Sequence, residues 1–228
     1  MKRFFKSADV REQDGTFAVM LDGRPIKTPN GGVLALRSSR LADAIAAEWA
    51  GQADEFELEP MVLTRLAFGA IDGEARRGEI VSAILKFAGS DLTCYRAEGP
   101  AELVRRQAAA WDGPLAGVAA RTCASFRTTT GVTHIAQPPE TIAALEQAIM
   151  GRDTAALVAL NAATGILGSL VLALNLAGGK LDARTAFAAA HIDESFQAEK
   201  WGEDPEARRR LDRLQTELES VETFLRLL

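Results

Sequence analysis

The sequence predicts an α+β fold, with a small β-rich N-terminal domain over residues 1–60 and a larger all-helical C-terminal domain over residues 61–228. Two observations lead to this fold class. Short extended runs separated by glycine-containing turns fill much of the chain before residue 37. From residue 61 onward, apolar residues recur at helical spacing in most segments. The length of 228 residues suits one large or two small domains.

A β-hairpin is predicted close to the N-terminus. Residues 17–21 and 24–28 form its strands, because the Asp22-Gly23 pair between them strongly favours a two-residue hairpin turn. A second glycine-rich turn then leads into a third predicted strand at residues 33–36. These three strands constitute the predicted β-rich part.

The first predicted helix follows Ser38 and Ser39, either of which can cap it. Its apolar stripe includes Leu41, Ile45 and Trp49. We interpret Trp49 as a structural core residue that fixes the β-rich part against this helix. An exposed Trp49 would contradict that interpretation.

Further helices are predicted at residues 61–71, 80–88, 100–111 and 138–150, and a short strand at residues 132–135. The stretch between Asp153 and Lys180 carries no charge and is long enough to span a bilayer on a simple count. Polar residues interrupt this stretch, so two buried core helices joined near Gly165 are favoured over a membrane span.

The stretch from Phe187 to Arg210 predicts a helix, a hinge and a second helix. Helix-favouring residues continue to Trp201, and Gly202 suits the left-handed position just past a helix end. Asp204 suits the N-cap of the next helix and is therefore assigned a structural role.

A single continuous helix up to Trp201 would have two apolar faces. One of them gathers Phe187, Ala190, Glu194, Ala198 and Trp201, with Gln197 beside them. A helix needs only one apolar face to dock on its own domain. The second face is therefore either a further core contact with a paired Glu194, or a surface for a partner.

The last helix carries a heptad seam of apolar residues, namely Leu211, Leu214, Leu218, Val221 and Leu225. A seam of about three heptads from one helix usually docks on its own domain, so a monomer is predicted. A homo-oligomeric structural protein that pairs through these heptads stays an alternative.

Composition narrows the classes of function. The net charge of -5 argues against binding to nucleic acid, which requires a basic patch. The two cysteines form no Cys-x-x-Cys pair, which argues against a disulfide framework and a zinc site and favours a reducing cytoplasm. The first residues lack the apolar core of a signal peptide and continue into acidic sequence that a mitochondrial presequence would avoid, so a bacterial cytoplasmic protein is expected.

The motifs of common catalytic sites are missing from the sequence. His134 lies in an apolar run and is interpreted as a satisfied strand residue, and Cys94 as a buried structural thiol. His191 and Glu194 are one helical turn apart, and a hydrogen-bonded pair is favoured over a metal site because further inward ligands are missing. No metal or cofactor is predicted. A small-molecule enzyme that uses this pair as acid and base stays an alternative.

Several spaced motifs resemble the assembly chaperones of the F-type ATP synthase that bind its α subunit, known in mitochondria as ATP synthase assembly factor 2. They occur in the order of that family and span nearly the whole chain. The motifs are Arg3-Phe4-Phe5-Lys6, Asp22 to Pro29, Ala46-Ala47-Glu48-Trp49, Leu63 to Ala67, Asp91 to Arg96, Gln107 with Trp111-Asp112, Gly168-Ser169-Leu170, and Asp193-Glu194-x-Phe196-Gln197-x-x-x-Trp201-Gly202.

The resemblance implies a protein without enzymatic activity or nucleotide that holds the free α subunit until the β subunit replaces it. It implies a partner-binding role for Glu194, Gln197, Trp201 and Gly202. Asp91, within another of the motifs, is interpreted as structural. No membrane insertion is expected.

Overall fold

A computed structural model describes residues 2–228 and confirms the α+β class, with strands near the N-terminus and helices over most of the rest. The strands are β1 Ala8–Gln13, β2 Thr16–Leu21, β3 Arg24–Pro25, β4 Ala35–Leu36, β5 Tyr95–Arg96 and β6 Thr129–Thr130. The α-helices are α1 Ser39–Ala50, α2 Val62–Gly73, α3 Arg77–Ala88, α4 Ala101–Thr122, α5 Pro139–Met150, α6 Thr154–Leu167, α7 Leu170–Ala177, α8 Ala183–Ala190, α9 Ile192–Trp201 and α10 Pro205–Leu227. Short 3-10 turns occur at Glu74–Arg76 and Leu92–Cys94.

The chain forms two compact units. The first unit takes in the chain up to Arg77, together with Asp153–Ala159 and Thr223–Leu228. The second unit consists of Gly78–Arg152 and Leu160–Glu222. A domain boundary near residue 60 stays a prediction, and helix α2 belongs to the first unit.

The sheet of the first unit is built on β2, which pairs antiparallel with β1, β3 and β4. The predicted hairpin at Asp22-Gly23 is present, with φ of 48° and 77° at its two turn residues. Positive φ at both positions is what a type I′ turn requires. Strand β1 was not predicted, although it pairs with β2 through a second turn of the same kind at Asp14-Gly15.

Helix α1 begins after Ser38, whose side chain accepts a hydrogen bond from the Leu41 amide. Its Glu48 carboxylate accepts hydrogen bonds from the amides of Leu63 and Thr64, both at 2.9 Å. Since the first amides of a helix have no partner within it, Glu48 caps α2 from a neighbouring helix. The two helices are thereby fixed against each other.

Two further helical segments differ from the prediction. Helix α4 continues past Trp111 to Thr122, through Pro114. The break in the uncharged stretch lies at Gly168, where φ is 60°, and not at Gly165, which stays helical. Among residues 2–228, no helix combines the length and apolar character needed to cross a membrane.

The predicted strand at residues 132–135 is wrong. The segment is irregular, and the strand lies earlier, at β6, where it pairs in parallel with β5. Val132 is fully exposed, and His134 is exposed with its Nδ1 3.0 Å from the Tyr95 hydroxyl. The apolar run around His134 therefore does not mark a buried strand.

The predicted continuous helix up to Trp201 is also wrong, because it breaks at His191 into α8 and α9. Residues on α8 and α9 consequently do not share the faces that a single helix would give them. In α10, the heptad positions Leu218 and Val221 are buried within the chain, together with Phe224. The oligomeric state stays a prediction.

Candidate protein-binding surface on helix α9

One side of helix α9 is docked on α4 through Phe196. This ring is 4% exposed and is the only buried side chain of α9. The guanidinium of Arg106 and the ammonium of Lys200 lie 5.4 and 5.2 Å from its centroid. Cations over an aromatic face are attracted by its electron density, so the ring is held by contacts with both charges.

A buried amide strengthens the same contact. Gln107 of α4 is almost wholly buried and donates from Nε2 to the Asp193 carboxylate at 2.7 Å. Its Oε1 accepts a hydrogen bond from the Ala97 amide at 2.8 Å. Because one side chain joins three segments of the second unit, the start of α9 is fixed in position.

Ion pairs border this docked side. Arg106 contacts Glu199 at 2.8 Å and Glu102 at 2.7 Å, and Lys200 lies 3.6 Å from Glu102. Hydrogen bonds from Arg106 hold the pKa of both carboxylates below their usual range. Pairs this exposed stabilise little individually, so their main contribution is to orient α9 on α4.

The opposite side of α9 is free and contains the predicted partner-binding residues. Glu194, Gln197 and Trp201 are all exposed, and Trp201 is 80% exposed. Trp201 lies seven positions after Glu194 in the helix, which places the two residues about 20° apart around the axis and about 10 Å apart along it. We call these three residues the α9 surface. Trp201 is one of the large apolar side chains that the structure leaves exposed.

Glu194 makes no side-chain hydrogen bond or ion pair within residues 2–228. Its exposure excludes a buried, internally paired carboxylate. The predicted His191–Glu194 hydrogen bond is wrong. The imidazole of His191 is buried, donates from Nδ1 to the Phe187 carbonyl at 3.0 Å, and stacks on the ring of Phe187. The reason is the helix break at His191, which fixes its ring against the preceding turn.

The end of α9 turns sharply at Gly202, where φ is 94° and ψ is 159°. This combination is accessible essentially only to glycine. Asp204 then caps α10, since its Oδ1 accepts a hydrogen bond from the Glu206 amide at 2.9 Å. Every residue from 201 to 210 is exposed, so the turn presents Trp201 at a projecting corner.

Asp91, assigned a structural role from the sequence, lies far from solvent. Its carboxylate accepts hydrogen bonds from Thr93, from the Ser169 hydroxyl at 2.7 Å and from the Val171 amide at 2.9 Å. Burial raises the pKa of Asp91, although these hydrogen bonds oppose the shift. The carboxylate thus ties the turn after α3 to the start of α7.

Trp49 and Cys94 are both buried. The Trp49 ring packs edge-on against Phe5 and Phe56, with centroids 5.6 and 5.7 Å away. This placement agrees with the predicted core position. Burial, together with the charge of Asp91, raises the pKa of the Cys94 thiol to about 12, which leaves it inert as a nucleophile.

No group of three or more His, Cys, Asp or Glu side chains within residues 2–228 is arranged to hold a metal ion. Sequence reasoning missed Arg106 as a positioning residue, because nothing in the α4 sequence shows which helix will pack against it. It found the α9 residues through their spaced motif and not through the two-faced helix, which does not form.

Three comparisons place the chain among known proteins. The family model of the ATP12 chaperone protein matches residues 2–119. The crystal structure of Atp12 from Paracoccus denitrificans is similar at 36% identity and a TM-score of 0.91, over 99% of this chain and 97% of that one. The Atu1473 protein of Agrobacterium tumefaciens is similar at 38% identity and a TM-score of 0.93, over 99% of this chain and 85% of that one.

The fold thus coincides with that of a class of chaperones, and the agreement covers 99% of this chain. A point mutant of the Paracoccus protein has the same fold, with a TM-score of 0.90. The chain belongs to the ATP12 chaperone family.

Proposed function

We propose that this protein assists ATP synthase assembly by binding the unassembled α subunit and preventing its aggregation until the β subunit replaces it. Family membership supports the assembly role. The exposure of Trp201 and of the unpaired Glu194 supports a binding role for the α9 surface, because the other side of this helix is docked on α4.

The proposal assigns a separate role to each residue of the α9 surface. Trp201 is the apolar anchor, because exposed tryptophans are enriched among residues that dominate binding energy. Glu194 pairs with a cation of the partner, and Gln197 supplies adaptable hydrogen bonds beside them. Gly202 acts through the backbone turn that presents Trp201, since it has no side chain to contribute.

The proposed mechanism uses neither nucleotide nor cofactor. An unassembled α subunit exposes an interface that is buried in the finished enzyme, and such obligate interfaces are large and apolar. A smaller competing surface covers part of it and is displaced when the β subunit supplies the larger one. The proposal places the protein in the bacterial cytoplasm, as a monomer that binds neither nucleic acid nor membrane.

Co-expression with the α subunit tests the proposal. The chaperone should raise the soluble yield of the α subunit and copurify with it, and adding the β subunit should release it. A soluble yield that does not change, with no copurifying complex, would refute the proposed function.

Two substitutions locate the binding surface. Trp201→Ala should weaken the complex by about 2 kcal/mol, or about 30-fold, as expected for an anchor residue. Glu194→Gln should weaken it while leaving the melting temperature unchanged, because the carboxylate has no internal partner.

Matched controls are available on other surfaces of the second unit. Val132→Ala truncates another exposed apolar side chain, and Glu146→Gln neutralises an exposed carboxylate on α5. Both should bind the α subunit like the wild type. Equal loss of binding in the Trp201→Ala variant and the Val132→Ala control would show that the α9 surface is not the site.

A further inference from the structure

The first unit contains a groove of about 730 Å³ that the proposed function does not use. Its lining is mainly apolar and includes Phe4, Phe5, Leu21, Ile26, Trp49 and Phe68. The volume lies in the range of ligand-binding clefts. Two motifs that the sequence analysis identified, residues 3–6 and 22–29, line this single groove.

Phe4 is presented at the groove by a fixed backbone. It is 70% exposed, yet Arg3 on one side donates its amide to the Asp54 carbonyl at 2.7 Å. On the other side, the Lys6 and Ser7 amides donate to the Asp22 carboxylate at 3.0 and 2.8 Å. An exposed aromatic on a restrained segment is ready to bind without a large loss of chain entropy.

The charge at the rim of the groove is unbalanced. Arg24 and Lys27 line it, are exposed, and have no carboxylate within ion-pair distance among residues 2–228. The one carboxylate in the lining, Asp22, is already occupied by backbone amides, which also lower its pKa. The groove therefore combines an apolar floor with two free cations.

The indole of Trp49 carries a hydrogen-bond donor without an acceptor in the described part of the chain. It lines the groove, and its buried indole Nε1 has no hydrogen-bond acceptor within residues 2–228. Buried donors are nearly always paired in folded proteins. Packing against Phe5 holds this ring in place, so the missing acceptor does not result from a poorly packed side chain.

We propose that this groove is a second docking site for the client protein, and that it takes a segment with an apolar or aromatic side chain next to a carboxylate. The apolar side chain fills the floor beside Phe4, and the carboxylate pairs with Arg24 and Lys27. The identity of the client rests on the proposed function, whereas the chemistry of the segment rests on the groove alone.

Charge reversal at the rim tests the proposal on the full chain. The double variant Arg24→Glu, Lys27→Glu should lower the affinity for the α subunit at least about tenfold and reduce its dependence on salt. The control Arg11→Glu reverses an exposed charge on β1 outside the groove and should bind like the wild type. If the double variant binds as tightly as the control, the groove is not a docking site, and the proposed function is unaffected.

A peptide titration tests the groove without the α subunit. The probe is a capped tetrapeptide with the sequence aspartate, leucine, phenylalanine, aspartate, and the readout is the ¹H–¹⁵N indole signal of Trp49, assigned with the Trp49→Phe variant. The signal should shift in the wild type but not in the double variant. A shift together with no α-subunit binding would refute the proposed function and leave the groove assignment standing, whereas no shift at millimolar peptide would overturn the groove assignment.

Discussion

Truncation of Phe196 should release the docked side of helix α9. An aromatic side chain buries roughly 150–250 Å². At about 25 cal/mol per Å², its complete burial stabilises by at most about 4–6 kcal/mol. Phe196 is the single buried side chain of α9, and it also holds the Arg106 and Lys200 cations. A surface helix can relax after truncation, so we expect a cost of about 3 kcal/mol for Phe196→Ala.

Amide hydrogen exchange measures this loss locally. A cost of about 3 kcal/mol corresponds to a factor of about 150 in the ratio of docked to undocked α9. The amides between Ser195 and Trp201 should therefore exchange up to about 150 times faster, while the amides in the middle of α4 keep their protection. On the proposed function, binding of the α subunit should weaken as well, although Phe196 itself faces away from the α9 surface.

The control is Phe4→Ala, which removes the same ring from a position that is 70% exposed. The free energy of unfolding of the Phe4→Ala variant should differ from that of the wild type by less than about 0.5 kcal/mol. Unchanged protection of α9 in the Phe196→Ala variant would refute the docking argument. Equal loss of protection in α4 and α9 would refute the local character of the opening.

Three further predictions concern the buried Asp91, the turn at Gly202 and the ion pair of Glu199. Asp91→Asn should cost about 1–3 kcal/mol in urea unfolding, because an amide group cannot accept all four hydrogen bonds that the carboxylate accepts. Gly202→Ala should cost about 1–3 kcal/mol, because its φ of 94° is strained for any side chain. Its control, Gly78→Ala in α3, has ordinary φ and open space and should be neutral or stabilising. Acid should loosen α9. A hydrogen bond from Arg106 lowers the pKa of Glu199 in the folded state. The Glu199–Arg106 pair therefore stabilises the docking of α9 at neutral pH, and this stabilisation is lost as the pH falls through the lowered pKa. Tryptophan fluorescence of Trp201 across an acid titration measures this change.

The two hairpins show what sequence reasoning can and cannot detect. Both turns are Asp-Gly pairs with similar positive φ values. Only the second was predicted, because β1 reads Ala-Asp-Val-Arg-Glu-Gln, in which Ala8 and Val10 are the only apolar residues and the last three residues are polar. A strand this polar is identified by the partner it pairs with, which the local sequence does not specify.

The misplaced helix break has a tertiary cause. Gly165 and Gly168 are both compatible with a break, and helix propensity does not distinguish between them. Gly168 takes the positive φ, and Ser169 after it is the N-cap of α7, because its hydroxyl accepts a hydrogen bond from the Leu172 amide. Asp91, nearly 80 positions earlier, accepts hydrogen bonds from the same hydroxyl and from the Val171 amide, and these tertiary contacts favour the break at Gly168.

The spaced motif identifies the residues of the α9 surface, whereas the pattern of a two-faced helix does not, because that helix breaks at His191. The exposed residues nevertheless lie on one side, because Glu194, Gln197 and Trp201 all belong to α9 and keep their helical spacing. Their exposure depends on Phe196 and Asp193 docking the other side, and those contacts involve α4 residues that lie far away in the sequence.

The rigidity of α9 bears on how a chaperone of this kind can be displaced. A flexible Trp201 would need a larger interface to compensate for the entropy of ordering it. Because Gln107 and Arg106 hold α9 before any partner binds, affinity can come from a few anchored residues and from little area. An obligate subunit interface covers more than about 2,000 Å² and therefore competes effectively with such a small surface. On the proposed function, strengthening the α9 docking should raise chaperone affinity without extending its footprint, and release by the β subunit should become slower in proportion.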